Sequence, residues 1–239
     1  MPDITDINCD LGEHETGAQT SALMRWISSA SIACGGHAGT PSSMRHCAEE
    51  AARCHVHVGA HPGLADAFGR GRSIPNVAEF TTLLEKQIAN LLPILDAVGL
   101  PLHHVKLHGS LYHATDRSEE LASAYVEWML RNHPRAIIYA RSGGPTSRRA
   151  EQHGATVWHE LFLDRNYHDD GSLIPREMNE ALLTDTSQLK ERLERYREEG
   201  VITARSGNHL PLRGDTFCIH GDTPRAEAFA RCANGFLML

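Results

Sequence analysis

The sequence has no CxxC pair, no uninterrupted apolar run near the roughly 18 residues of a membrane span, and no excess of basic residues. Its six cysteines, Cys9, Cys34, Cys47, Cys54, Cys218 and Cys232, lack the paired spacing of a redox or zinc motif. The opening MPDITDINCD has neither a basic segment nor an apolar signal core. Together these absences point to a reduced, cytoplasmic chain with no membrane partner. Lys+Arg 23 against Asp+Glu 30 gives a formal charge of −7, the wrong sign for neutralising a phosphate backbone over a broad face. Nucleic acid is therefore excluded as a partner. A small phosphate ligand stays open, because helix N-termini and a few cations bind it whatever the net charge. No GxxxxGK[ST], GxSxG, HExxH or dinucleotide-binding glycine fingerprint is present in its required context, which weakens the simple P-loop and serine-hydrolase classes.

What is present reads as α/β. The 239 residues fit one β/α barrel, a fold that runs to roughly 200–250 residues as a single domain, and no linker, repeat or low-complexity run divides residues 1–239. Strand-like runs alternate with helix-like stretches throughout. Asn76 with Glu79 forms a capping box that opens a helix over NVAEFTTLLEKQIANLLPILDAVG, ended by Gly99 and interrupted by Pro93. Thr40-Pro41 and Thr223-Pro224 each pair an N-cap with a proline at the first helical position. Asp116 is expected to cap SEELASAYVEWMLRN, and the charged TSQLKERLERYREEG reads as an exposed helix.

A period of two sorts the strand residues into faces. In DINCD, Asp6, Asn8 and Asp10 oppose Ile7 and Cys9. SIACGGH puts His37 with Ser31, Ala33 and Gly35, and HVHVGAH separates His55, His57, Gly59 and His61 from Val56, Val58 and Ala60. HVKLH sets His104, Lys106 and His108 against Val105 and Leu107, and FCIHGD sets Cys218, His220 and Asp222 against Phe217 and Ile219. In WHELFLD, Glu160 and Asp164 share a side with Trp158 and Phe162, while AIIYARS is mostly apolar and reads as a plain structural strand. That makes about seven strands, about six of them with polar residues towards their C-terminal ends, where β/α barrels assemble their sites.

One histidine in a strand is ordinarily structural. Asp10, His37, His61, His108, Asp164, His220 and Asp222 all fall at strand ends, however, where one barrel mouth gathers them. Lys106, on an inward face, needs a carboxylate or an anionic ligand; Asp10 or Asp164 would serve as its partner. GDTP at 221–224 is a turn into a helix whose free N–H groups suit an anion, or an ordinary cap. FGRGR at 68–72 and SGGP at 142–145 are glycine-rich turns able to close over a ligand. Asp10, His37 and His61 could form an N/O set for a divalent metal in the barrel mouth, with acid–base histidines as the alternative.

INCDLGE (7–13), ACGGHAGTP (33–41), GAHP (59–62), HVKLHGSLY (104–112), FLDRNYHDDGSLIPR (162–176) and CIHGDTP (218–224), in this order, resemble the LamB/YcsF family. The resemblance spans nearly the whole chain, with departures at Gly36, Thr40 and Leu107. It implies the seven-stranded, TIM-like β/α barrel of the glycoside hydrolase/deacetylase superfamily. The activity it implies is that of the A subunit of a 5-oxoprolinase, which acts with subunits B and C to open 5-oxoproline to glutamate using ATP with Mg2+. On that reading Asp10, His37, His61, Lys106 and His108 are catalytic, and Asn8, Asp164, Arg165, His220, Asp222 and Thr223 bind substrate or phosphate. The rivals are an ATP-independent, metal-dependent deacetylase or amidohydrolase, and a non-catalytic subunit that binds a small acid.

Overall fold

The computed structural model describes residues 5–65, 73–223 and 225–237. Seven parallel strands close into a barrel: β1 (Ile7–Leu11), β2 (Ser29–Ala33), β3 (His57–His61), β4 (His104–Lys106), β5 (Ile137–Arg141), β6 (Val157–Phe162) and β9 (Thr216–His220). β1 pairs with both β2 and β9, so Asp10 lies opposite Ser31 on one side and His220 on the other. Helices α1 (Gly17–Leu23), α2 (Pro41–Cys54), α3 (Val77–Ala97), α4 (Gly109–Thr115), α5 (Glu119–Asn132), α6 (Pro145–Gln152), α7 (Thr186–Glu199) and α8 (Ala226–Leu237) complete the β/α units. A hairpin of β7 (Val201–Thr203) and β8 (His209–Pro211), which the sequence patterns did not announce, is inserted between α7 and β9. Among the described residues no helix is long and apolar enough to cross a membrane, and all six cysteines are free.

Local chemistry fixes the helix ends. The Asn76–Glu79 and Thr40–Ser43 capping boxes are both formed, and α3 runs through Pro93. Asp116 does not cap α5; Ser118 does, by accepting from Leu121 N. Asp116 is instead the ion-pair partner of Arg141 on β5, so that strand is not merely apolar. SGGP forms the turn into α6, with Gly144 at the N-cap and packed against Asp116. FGRGR at 68–72 and Pro224 lie outside the described residues. α7 buries Leu189, Leu193 and Tyr196 along one side, so the charged helix is anchored rather than free.

Within the strands the predicted faces are the observed ones, but His37, His108, Asp164 and Asp222, expected at strand ends, lie in the segments just beyond them. Ile7, Cys9, Leu11, Ile32, Val58, Ala60, Val105, Phe217 and Ile219 belong to the apolar layer under the helices. The opposite face fills the barrel with polar groups in tiers. Near the N-terminal end, Asp6 accepts from Ser28, Ser29, Thr216 and Tyr139. His104 stacks on Tyr139 at 3.9 Å and reaches Ser31 at 3.1 Å. A side chain at Gly59 would meet the His104 ring at 2.2 Å, so glycine there admits the imidazole. His55 is a correction: it is the left-handed C-cap of α2 with φ 59°, outside β3, and faces solvent with His57.

Candidate active site

Lys106 is the centre of the middle tier. Its ammonium donates to Asp10 Oδ1 at 2.8 Å and Asn8 Oδ1 at 3.0 Å, and lies 3.1 Å from Cys218 Sγ. Glu160 Oε1 is a further 2.8 Å contact. The second carboxylate is thus Glu160, not Asp164. Burial opposes the charge on Lys106, but Asp10, Cys218 and Glu160 outweigh it and hold the ammonium protonated well above its ordinary range. Burial likewise pushes the Asp10 carboxyl up, and His61, Lys106 and His220 more than reverse this, so Asp10 stays ionised far below the usual carboxylate range. Asn8, read from sequence as a ligand-binding residue, is fully buried and donates to Thr216 Oγ1 at 2.7 Å while accepting from Lys106. It positions the lysine.

Beside this pair stand three imidazoles around one carboxylate. Glu13 Oε1 accepts from His37 Nε2 at 2.8 Å and lies 3.1 Å from His108 Nδ1 and 3.6 Å from His61 Nε2. His61 Nδ1–H donates to the Lys106 carbonyl at 2.8 Å, which leaves a lone pair on Nε2, facing His108 Nδ1 at 3.0 Å and Asp10 Oδ2 at 3.4 Å. Burial, with the neighbouring Lys106 ammonium, lowers the His61 pKa to about 3, and the ring is neutral. Glu13 is held ionised against the cost of burial by hydrogen bonds from His108 and His37. His37 and His108 stack at 3.6 Å, and a side chain at Gly63 would come within 2.3 Å of His37 Nδ1. Gly36 is equally tight: a Cβ there would sit 2.1 Å from the Gly63 carbonyl, which Gln87 also grips.

The β6/β9 side of the mouth is organised by Asp164. It accepts from the His220 backbone N–H at 3.0 Å and the His220 Nδ1–H at 2.9 Å. Arg192 donates to the carbonyls of Phe162, Leu163 and Arg165, fixing the turn that carries Asp164. Asp222 accepts from Arg176 at 2.7 Å. Thr223 Oγ1 donates to the His220 carbonyl at 3.2 Å, and α8 starts only at Ala226, so the helix begins later than Thr223-Pro224 suggested.

All of the sequence-predicted catalytic residues therefore meet in one place. The predicted metal trio is redistributed: the donors lying within 4.8 Å of one another are Glu13, His37, His61 and His108, while Asp10 groups with Cys218 and His220. Glu13 and Arg176 are residues of this site that the sequence reading did not single out at all. Gly12, at φ 76°, ends the alternation of β1 and turns Glu13 back into the mouth.

The LamB/YcsF family model matches residues 5–237. The chain belongs to the LamB/YcsF family. Relatives within it include the 5-oxoprolinase A subunit of Pyrococcus abyssi, 40% identical over 92% of this chain and 89% of that protein. The 5-oxoprolinase A subunit of Brevibacillus brevis is 36% identical over 95% of this chain and 91% of that protein. The crystal structure of the lactam utilization protein from Thermus thermophilus superposes with a TM-score of 0.88 at 34% identity, covering 98% of this chain and 96% of that one. In this LamB/YcsF chain the polar tiers of a closed parallel barrel end in two adjoining clusters, one rich in imidazole and one in carboxylate–cation pairs.

Proposed function

We propose that the barrel mouth opens the lactam of 5-oxoproline to glutamate, as the A subunit of an ATP-using 5-oxoprolinase that also needs subunits B and C. The observation that carries this reading is the buried Lys106–Asp10 pair 3.4 Å from a neutral imidazole at the head of a second, carboxylate-centred histidine cluster. The names of the relatives supply the substrate. A lactam is a weak electrophile; transfer of a phosphoryl group from Mg2+-ATP to its carbonyl oxygen turns that oxygen into a leaving group, and water then attacks the carbon. The C–N bond breaks as the ring nitrogen takes a proton, which leaves a γ-glutamyl phosphate, and a second water then attacks its carbonyl carbon and expels phosphate to give glutamate. Lys106 steadies the negative charge that develops on oxygen. Asp10, held ionised, is too weak a base to take a proton and instead fixes Lys106. His108 with His61 takes the proton of water, and His220, oriented by Asp164, hands one to the leaving nitrogen. Asp222, Thr223 and Arg165 border the phosphoryl side.

The Glu13, His37, His61 and His108 donors fit a divalent cation, since His61 donates its other ring N–H to a backbone carbonyl, the usual partner of a metal-bound imidazole. When bound, such an ion would polarise the lactam carbonyl. The same cluster favours the second reading, an amidohydrolase that needs no nucleotide. The test is glutamate formation by this chain combined with subunits B and C, with and without ATP and after chelation. Glutamate that appears only with ATP, in step with 5-oxoproline-stimulated ATP hydrolysis, is the expected result. Ring opening by the isolated chain without nucleotide would support the second reading, and no glutamate under any condition would refute both.

A further inference from the structure

On the β6/β9 side of the mouth, two guanidinium groups have more buried donors than the described residues have acceptors for them. Arg165 is only 5% exposed; it donates through Nη2 to the Ile174 carbonyl, and its Nε is buried with no acceptor among the described residues. Arg176 donates through Nη1 to Asp222, and its Nη2 is likewise buried with no acceptor among them. Asp164, the other carboxylate on this side, has both oxygens engaged by His220. Arg176 also forms part of the wall of a cleft of about 740 Å³ bounded by α7 and the 178–184 segment.

A buried polar donor left unpaired is destabilising, and more so when it is charged. Two guanidiniums close enough to repel add to that cost; burial and the charge of Arg176 both lower the Arg165 pKa. One bound oxyanion would offset both, because a carboxylate or phosphoryl group presents several acceptor lone pairs to the planar guanidinium fork. The position suits a ligand. Asp164, next to Arg165 in sequence, binds His220, and a ring nitrogen of His220 lies within 4.8 Å of Asp10 and Cys218, next to Lys106.

We propose that Arg165 and Arg176 form an anion subsite that seats a ligand oxyanion beside the Asp10–Lys106 pair, with Asp222 aligning Arg176. This rests on the reading of the mouth as the seat of 5-oxoproline ring opening, in which the oxyanion is the substrate carboxylate or a phosphoryl group of the nucleotide.

The test is calorimetric titration of the full chain with three probes: 5-oxoproline, 2-pyrrolidinone (the same ring without the carboxylate) and inorganic phosphate. Wild type is compared with R176Q and R176K, each first checked by its thermal melt. The expected result is that R176Q weakens binding of one of the two anions about tenfold or more and leaves 2-pyrrolidinone unchanged, with R176K recovering only part of the loss. Loss for 5-oxoproline identifies the carboxylate as the occupant; loss for phosphate identifies the phosphoryl group. Wild-type binding of both anions by folded R176Q, or no binding of either anion by wild type, would overturn the subsite. Because the readout is binding, it stands apart from the ring-opening reading, which fails separately if the wild-type assembly makes no glutamate.

Discussion

K106M is expected to abolish glutamate formation in the assembled enzyme, lowering kcat by at least about 10³-fold, and to lower the stability of the chain. The first effect follows from loss of the cation beside the reacting oxygen, where a single preorganised donor is worth about 10²–10³ and a charged one more. The second follows from leaving Asp10 and Glu160 buried without their counter-ion, a change that costs about 3–5 kcal/mol. Thermal melting should fall by on the order of 10 °C for a chain of this size. The K106M/E160Q double variant separates the effects: removing the surplus carboxylate should restore much of the melting temperature and none of the activity. If activity returned with stability, Lys106 would be structural only.

E13Q is expected to reduce kcat by about 10²–10³-fold, because a neutral amide cannot hold three imidazoles in one arrangement by charge. Its stability defect should depend on pH in a defined direction. The folded-state pKa of Glu13 lies below its unfolded value, so its contribution is present above the unfolded pKa and is lost as pH falls through the folded one. The gap between wild type and E13Q in denaturant melts of the chelated protein should therefore be widest at about pH 7 and begin to shrink only as pH falls below the ordinary glutamate pKa of 4.5, with most of it still present at about pH 3.5. A gap that widened on acidification would mean that Glu13 is not the ionised acceptor of the cluster.

Much of this site was legible because a parallel barrel turns the two-residue period of each strand into inside and outside. Asp10, His61, Lys106 and His220 could be placed together from that alone. The pattern fails where the backbone leaves the strand. Glu13 follows a left-handed glycine, so counting by twos puts it on the wrong face; the quoted INCDLGE held the signal, in its Gly-Glu after a strand-end Asp. Glu160 lay on the right face, but Trp158 and Phe162 beside it blurred the alternation, and only tertiary pairing with Lys106 shows its use. Arg176 belongs to a loop, where no period exists, and its role depends on a partner 46 residues away in sequence, Asp222. Asp116 was a plausible cap by residue type; the approach of Arg141 from β5, a long-range contact, decided otherwise.

On the proposed function, this mouth, and not a site on another subunit, opens the lactam ring. The most direct test of this is 13C NMR of labelled 5-oxoproline turned over by the assembly of this chain with subunits B and C and Mg2+-ATP, comparing wild type with K106M/E160Q. Labelled glutamate is expected with wild type and an unchanged 5-oxoproline spectrum with the double variant. Labelled glutamate at the wild-type rate from the double variant would contradict that function.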